Sequence, residues 1–105
     1  MAKFAVYKNK NTRSKTTYPL LLDVQADLLD DLQTRLVIPL TKVPALMKKP
    51  IARLTPAIDI GGEQYLLMTP QLAGIARSEL GAAVGNVADQ RSAIIAALDL
   101  LITGV

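Results

Sequence analysis

The chain has 105 residues, half of them apolar and a fifth charged, with a formal net charge of +3 and no His, Cys or Trp. That length is one domain, 1–105. The missing residue types exclude Ser-His-Asp and Cys-His nucleophiles, zinc sites of the His/Cys kind and a disulfide framework. No EF-hand spacing, phosphate loop or dinucleotide fingerprint occurs, so neither a metal nor a cofactor is expected. The chain opens without a basic-then-apolar leader and contains no run of 18 apolar residues. A cytoplasmic globular protein without a membrane partner is expected, and not an enzyme that depends on side-chain acid–base chemistry near neutral pH.

Phe4 to Tyr7 predict a short opening strand. Lys8 to Thr17 (KNKNTRSKTT) is polar and carries Lys8, Lys10, Arg13 and Lys15 without an acid, which predicts a basic loop. Tyr18 to Val24 returns to β-compatible residues, with Pro19 placing it at an edge or at a strand start. Asp23, Asp27, Asp30 and Asp31 follow with no base among them. Gln25 to Thr34 predicts a turn or one helical turn, and Arg35 to Leu40 (RLVIPL) a buried strand ended by Pro39. Thr41 to Pro50 is bracketed by prolines and reads as a connection. Gly61 and Gly62 between Ala57–Ile60 and Tyr65–Thr69 predict a hairpin, because glycine takes positive φ without a Cβ clash. Residues 70–84 predict short strand or irregular structure.

The end of the chain differs in kind. Asn86 is placed to cap a helix, Asp89 suits its first turn, and Gly104 suits its left-handed stop. Val87, Ile94, Ile95, Leu98, Leu101 and Ile102 keep helical spacing, which predicts a helix over about 87–102. From Ala93 to Ile102 only Asp99 is polar, so apolar side chains occupy nearly the whole circumference. Each Leu or Ile left in water forfeits roughly 1.5–3 kcal/mol of burial free energy. One small β domain covers one side of such a helix, so a second copy of the chain or another partner is expected on the rest. The fold class is mainly β with a C-terminal α-helix.

Four segments, in this order, resemble the CcdB family of toxins from toxin–antitoxin modules. They are Phe4-Ala5-Val6-Tyr7, the stretch Asp23-Val24-Gln25-Ala26-Asp27-Leu28-Leu29-Asp30, the stretch Arg35-Leu36-Val37-Ile38-Pro39-Leu40, and Leu67-Met68-Thr69; the helix ending in Gly104-Val105 matches as well. The resemblance implies an SH3-like, partly open β barrel with a small accessory sheet, assembled as a homodimer. It implies a type II toxin that binds the A subunit of DNA gyrase and traps the cleaved-DNA complex. A cognate antitoxin neutralises such toxins with a segment that folds on binding, and the pair represses its own operon, contacting operator DNA through the antitoxin.

Carried onto this sequence, the gyrase-facing end is Thr103, Gly104 and Val105 with Asp99 and Ile102, and Leu28 and Leu29 lie beside it at the dimer interface. Lys8, Lys10, Arg13 and Lys15 correspond to the antitoxin-contacting edge, where positive charge suits an acidic partner. The best-known gyrase poisons of the family carry Trp where this chain has Thr103. Two alternatives stand beside the gyrase reading. One is an endoribonuclease on the same fold, using Arg35 or Arg53 with Asp27; the other is a weakened toxin-like protein that retains antitoxin binding.

Overall fold

The computed structural model describes residues 3–26, 32–43 and 53–104. Among the described residues seven strands precede one α-helix: β1 (Ala5–Asn9), β2 (Leu20–Asp23), β3 (Thr34–Lys42), β4 (Ala57–Ile60), β5 (Glu63–Leu67), β6 (Ala73–Ala76), β7 (Leu80–Asn86) and α1 (Arg91–Thr103). Every pairing is antiparallel, in the order β4-β5-β3-β2-β1-β7, and β6 also pairs with β3. The sheet curls into a half-barrel, the expected SH3-like partly open form.

Strand periodicity divides the apolar residues between two faces. Leu20, Leu22, Ile38 and Leu40 face one way and join Phe4, Val6, Leu67 and the helix residue Ile94 in the main core. Leu21 and Val37 face the other way and pack with Leu80, Tyr7 and Ile75 in a smaller cluster. Both faces of β2 and β3 are therefore covered, which is why their sequences are continuous apolar runs and not alternating ones.

The hairpin lies where the glycines predict it. Gly61 and Gly62 have φ of 61° and 86° and form a two-residue turn between β4 and β5. Behind it the Gln90 side chain bridges to the Asp59 backbone, accepting from its N–H at 2.9 Å and donating to its carbonyl at 2.7 Å. A side-chain amide here takes the place of a neighbouring strand and ties the hairpin to the start of α1.

Three boundaries depart from the sequence reading. Strand β3 runs through Pro39 to Lys42 instead of ending at the proline. The Pro39 carbonyl faces Met68, accepting from its N–H at 2.9 Å, on the side where β3 changes partner from β6 to β5. The missing proline N–H falls in that gap and removes no ladder bond. Strand β1 continues to Asn9, so Lys8 belongs to it and the loop begins at Lys10. Asn86 does not cap the helix: its Oδ1 accepts from the Ala88 N–H at 2.8 Å, an Asx turn that leads into a 3-10 turn at Ala88–Gln90 whose N-cap is Val87, and the α-helix starts at Arg91, after Gln90, and ends at Thr103. Gly104 stops it as expected, at φ 77° with its N–H bonded to the Leu100 carbonyl at 3.1 Å.

Asp23 and Arg35 form an ion pair whose side chains are wholly buried. Arg35 Nη2 lies 2.6 Å and Nε 2.8 Å from Asp23 Oδ2. Asp23 Oδ1 accepts the Gln25 N–H at 3.0 Å, and Gln25 Oε1 accepts the Leu36 N–H at 3.0 Å. The Asp23 carbonyl accepts the Phe4 N–H at 2.7 Å, and the Phe4 carbonyl accepts the Val87 N–H at 2.9 Å. Phe4 makes both bonds from a left-handed conformation, φ 68°, which bulky residues rarely adopt. Burial pushes the Asp23 carboxyl above its ordinary value of 3.8, against the hydrogen bonds and charge of Arg35 and the Gln25 N–H.

Replacing one member leaves a buried charge without its partner. Asp23→Leu and Arg35→Met should each lower stability by about 3–5 kcal/mol, and the double variant should recover most of the loss; urea denaturation of the three measures the coupling. A raised folded pKa favours the protonated carboxyl, so the Asp23 contribution is full below pH 3.8 and is lost as pH rises through the folded value. Over that range the wild type should lose stability relative to Asp23→Asn.

At Gly81 a Cβ would stand 2.9 Å from the Lys8 carbonyl oxygen and 3.0 Å from Lys8 Cβ, whereas at Gly85 it would meet nothing within 4 Å. Gly81→Ala should therefore cost about 1–3 kcal/mol, read as a Tm lower by several degrees, with Gly85→Ala close to wild type.

Candidate functional site

The C-terminal end of α1 gathers four of the sequence-predicted residues. Ile102 and Thr103 follow Asp99 by three and four residues, so the three share a helix face, and Gly104 comes directly after them. Ile94 and Ala97 anchor the helix in the core, and Ile95 and Leu98 pack partly against it. The last turn emerges from that support: Leu101 is 37% exposed and Ile102 72% exposed. Thr103 Oγ1 donates to the Asp99 carbonyl at 2.7 Å, so its hydroxyl closes the helix on itself. What the end presents outward is an aliphatic side chain, a carboxylate and the backbone of Gly104. Val105, Leu28 and Leu29 lie outside the described residues, as does Asp27.

The basic residues lie along the end of β1 and the loop that follows it. Lys8 lies in β1 one residue before its end, on the side of the sheet shared by Val6 and Leu20, and Lys10, Arg13 and Lys15 follow in the turns that lead to β2; all four are exposed. The segment is a built structure. Asn9 Oδ1 accepts the Asn11 N–H at 3.0 Å and Asn11 Oδ1 the Arg13 N–H at 2.9 Å, two successive Asx turns. Asn9 Nδ2 donates to Ser14 Oγ at 3.0 Å and to the Tyr18 carbonyl at 2.9 Å, closing the loop across its base. Asn11 Nδ2 reaches Glu79 Oε1 at 3.4 Å, and the Lys10 N–H bonds the Glu79 carbonyl at 3.2 Å. The asparagines hold the backbone and leave the bases directed to solvent.

Beneath this loop is a cavity of about 110 Å³. Leu21, Val37, Pro39 and Ile75 supply apolar wall, while Asn9, Asn11, Ser14, Tyr18 and Glu79 contribute polar groups. Sequence reading took Asn9, Asn11 and Ser14 as ordinary loop residues; the signal it passed over was two asparagines spaced i, i+2, the spacing of chained Asx turns. A second hollow, between the Gly61-Gly62 turn and residues 84–90, is lined by backbone and by Asp59 and Asp89. No group of three or more metal-ligating side chains occurs among the described residues.

Two residues considered for ribonuclease chemistry stand apart. Arg35 is wholly buried against Asp23 and has no route to a polynucleotide at the surface. Arg53 is exposed. No helix among the described residues is long and apolar enough to cross a membrane.

Among solved structures, an endoribonuclease in complex with its cognate antitoxin from a mycobacterial species is similar to this chain. The likeness covers 94% of this chain and 91% of that one, at 14% sequence identity and a TM-score of 0.74. At that identity it establishes the fold. The family model described as CcdB protein matches residues 3–104. With the opening strand, the half-barrel and the closing helix all inside the matched span, the chain belongs to the CcdB family.

Proposed function

We propose that the chain is the toxin of a type II toxin–antitoxin pair. As a homodimer it binds the A subunit of DNA gyrase through the end of α1 and holds the enzyme on cleaved DNA. A cognate antitoxin neutralises it by binding at Lys8, Lys10, Arg13 and Lys15, and the pair represses its own operon through antitoxin–DNA contacts. The observation that carries the reading is the exposed helix terminus: Ile102, at 72% exposure, is a large apolar side chain left mostly open to solvent, in a chain of the CcdB family. Such a protein acts by wedging into another enzyme and needs no acid–base residues of its own.

The ribonuclease alternative draws on the endoribonuclease fold neighbour. It would have to operate without Arg35, whose guanidinium is sealed in its ion pair. RNA degradation by the purified protein, lost in Arg53→Ala, would replace the gyrase reading. Intact antitoxin binding without growth arrest would favour the weakened toxin-like form.

Purified protein should stabilise gyrase-dependent DNA cleavage, and deletion of Gly104 and Val105 should abolish it; cleavage unchanged by the deletion rejects the site. Thr103 offers no aromatic anchor, so Thr103→Trp should strengthen poisoning by about 2 kcal/mol, roughly thirtyfold in the concentration required. Sedimentation equilibrium should give a dimer.

A further inference from the structure

We propose that the cavity beneath the 10–18 loop receives one apolar side chain of the acidic segment that the basic loop holds, so that charge brings the segment in and the cavity sets its register. The proposal rests on the reading of the loop as the antitoxin-contacting edge and adds the chemistry of the residue at its centre.

The walls decide what fits. Leu21, Val37, Pro39 and Ile75 offer no hydrogen-bonding side-chain group. The asparagine and serine groups above them are already engaged: Asn9 with Asn11, Ser14 and Tyr18, Asn11 with Arg13 and Glu79. A polar ligand such as a nucleobase would forfeit its bonds to water and find few replacements. An aliphatic side chain forfeits none. An apolar cavity of about 150 Å³ holds a benzene ring, so the 110 Å³ here suits one leucine-sized group.

Charge selects the flanks. Lys8, Lys10, Arg13 and Lys15 lie on the strand end and loop that bound the cavity, and all four are exposed. The two ion pairs found among the described residues, Arg35–Asp23 and Lys42–Glu63, involve none of them. Glu79 is the one acid at the cavity, and Asn11 engages its carboxylate. The three bases of the loop, Lys10, Arg13 and Lys15, against one acid favour an anionic segment, and an apolar residue within it enters the cavity, the charged-rim and apolar-anchor arrangement of protein interfaces.

The test uses two fluorescent eleven-residue peptides of Asp and Glu, one with a central leucine and one with serine in its place. Both should bind the full-length protein by fluorescence anisotropy and weaken as salt is raised. The leucine peptide should bind about tenfold more tightly and should shift the methyl resonances of Val37 and Ile75. Ala73, exposed on β6 at the cavity wall, gives a variant that fills the space without entering the core. Ala73→Leu should bring the two affinities together and keep the salt dependence. Replacing Lys10, Arg13 and Lys15 by Gln should weaken both peptides alike.

Equal, salt-sensitive affinities for the wild type would overturn the cavity proposal and leave the basic-loop reading standing. Failure of both peptides to bind would overturn the cavity proposal and the basic-loop reading together. A single-stranded RNA oligomer that shifts the same methyl signals and is expelled by Ala73→Leu would assign the cavity to a nucleobase and overturn the proposal.

Discussion

The buried pair of Asp23 and Arg35 sets the register on which the rest of the fold is built. A charge removed from water demands a partner at bonding distance, since desolvation costs several kcal/mol per ion and Coulomb attraction offsets it only in good geometry. Both side chains are wholly buried, so β2 and β3 are held in the one alignment that brings them together. A slip of one residue in β3 would turn Arg35 toward the main core beside Leu20 and Leu22, turn Ile38 and Leu40 out of it, and leave Asp23 unpaired. The same residue then organises its surroundings. Its second carboxylate oxygen fixes Gln25, its carbonyl fixes Phe4, and Phe4 in turn holds Val87 at the approach to the helix. Raised against its ordinary value by burial, the carboxyl is a device for specificity more than for stability.

That register explains where the apolar half of the composition resides. A half-barrel of short strands cannot enclose every apolar side chain on one side. Odd and even positions of β2 and β3 are both apolar, and two coverings are needed. Helix α1 covers the main face through Ile94, Ala97 and Leu98; the basic loop, β6 and β7 cover the other around Leu21, Val37 and Leu80. Neither covering is complete. The helix runs beyond its support at Leu101 and Ile102, and the loop arches over a cavity it does not fill. The two incomplete coverings are the two candidate binding sites.

Local signals gave the reading from sequence its reach. The hairpin was legible because Gly61 and Gly62 have one conformational use at that spacing, and the helix stop because Gly104 follows an apolar run that cannot continue alone. Strand β3 was legible from its branched residues, but its end was not: whether a proline stops a strand depends on which side its nitrogen faces, and the partner change at Pro39 is a tertiary fact. The Asp23–Arg35 pair was within reach by parity, since Asp23 pairs opposite Val37 and Arg35 lies two residues along on the same face. Counting acids and bases along the chain hid it, because the acids of residues 23–31 read as a solvated group. The helix terminus was legible as a candidate site from the resemblance. The cavity was not, since its walls come from four strands and a loop that only the folded register brings together.

The placement of the two candidate sites constrains how a partner at one would interfere with a partner at the other. The helix end belongs to the main face and the cavity to the opposite face of the sheet, so a segment seated in the cavity does not by itself cover Ile102. Even the shortest extent of the molecule, 23 Å, takes about seven fully extended residues to cross. A partner that blocks the helix end from the basic loop must therefore pass around an edge of the sheet, which a disordered segment that orders on contact can do and a compact domain cannot without a second surface. The alternative is transmission through the protein along Phe4 and Val87. That route requires a second arrangement of those residues which the partner binds more tightly, and the unbroken chain of bonds from Asp23 through Phe4 to Val87 opposes one. Direct cover by an extended segment is the mechanism this architecture favours.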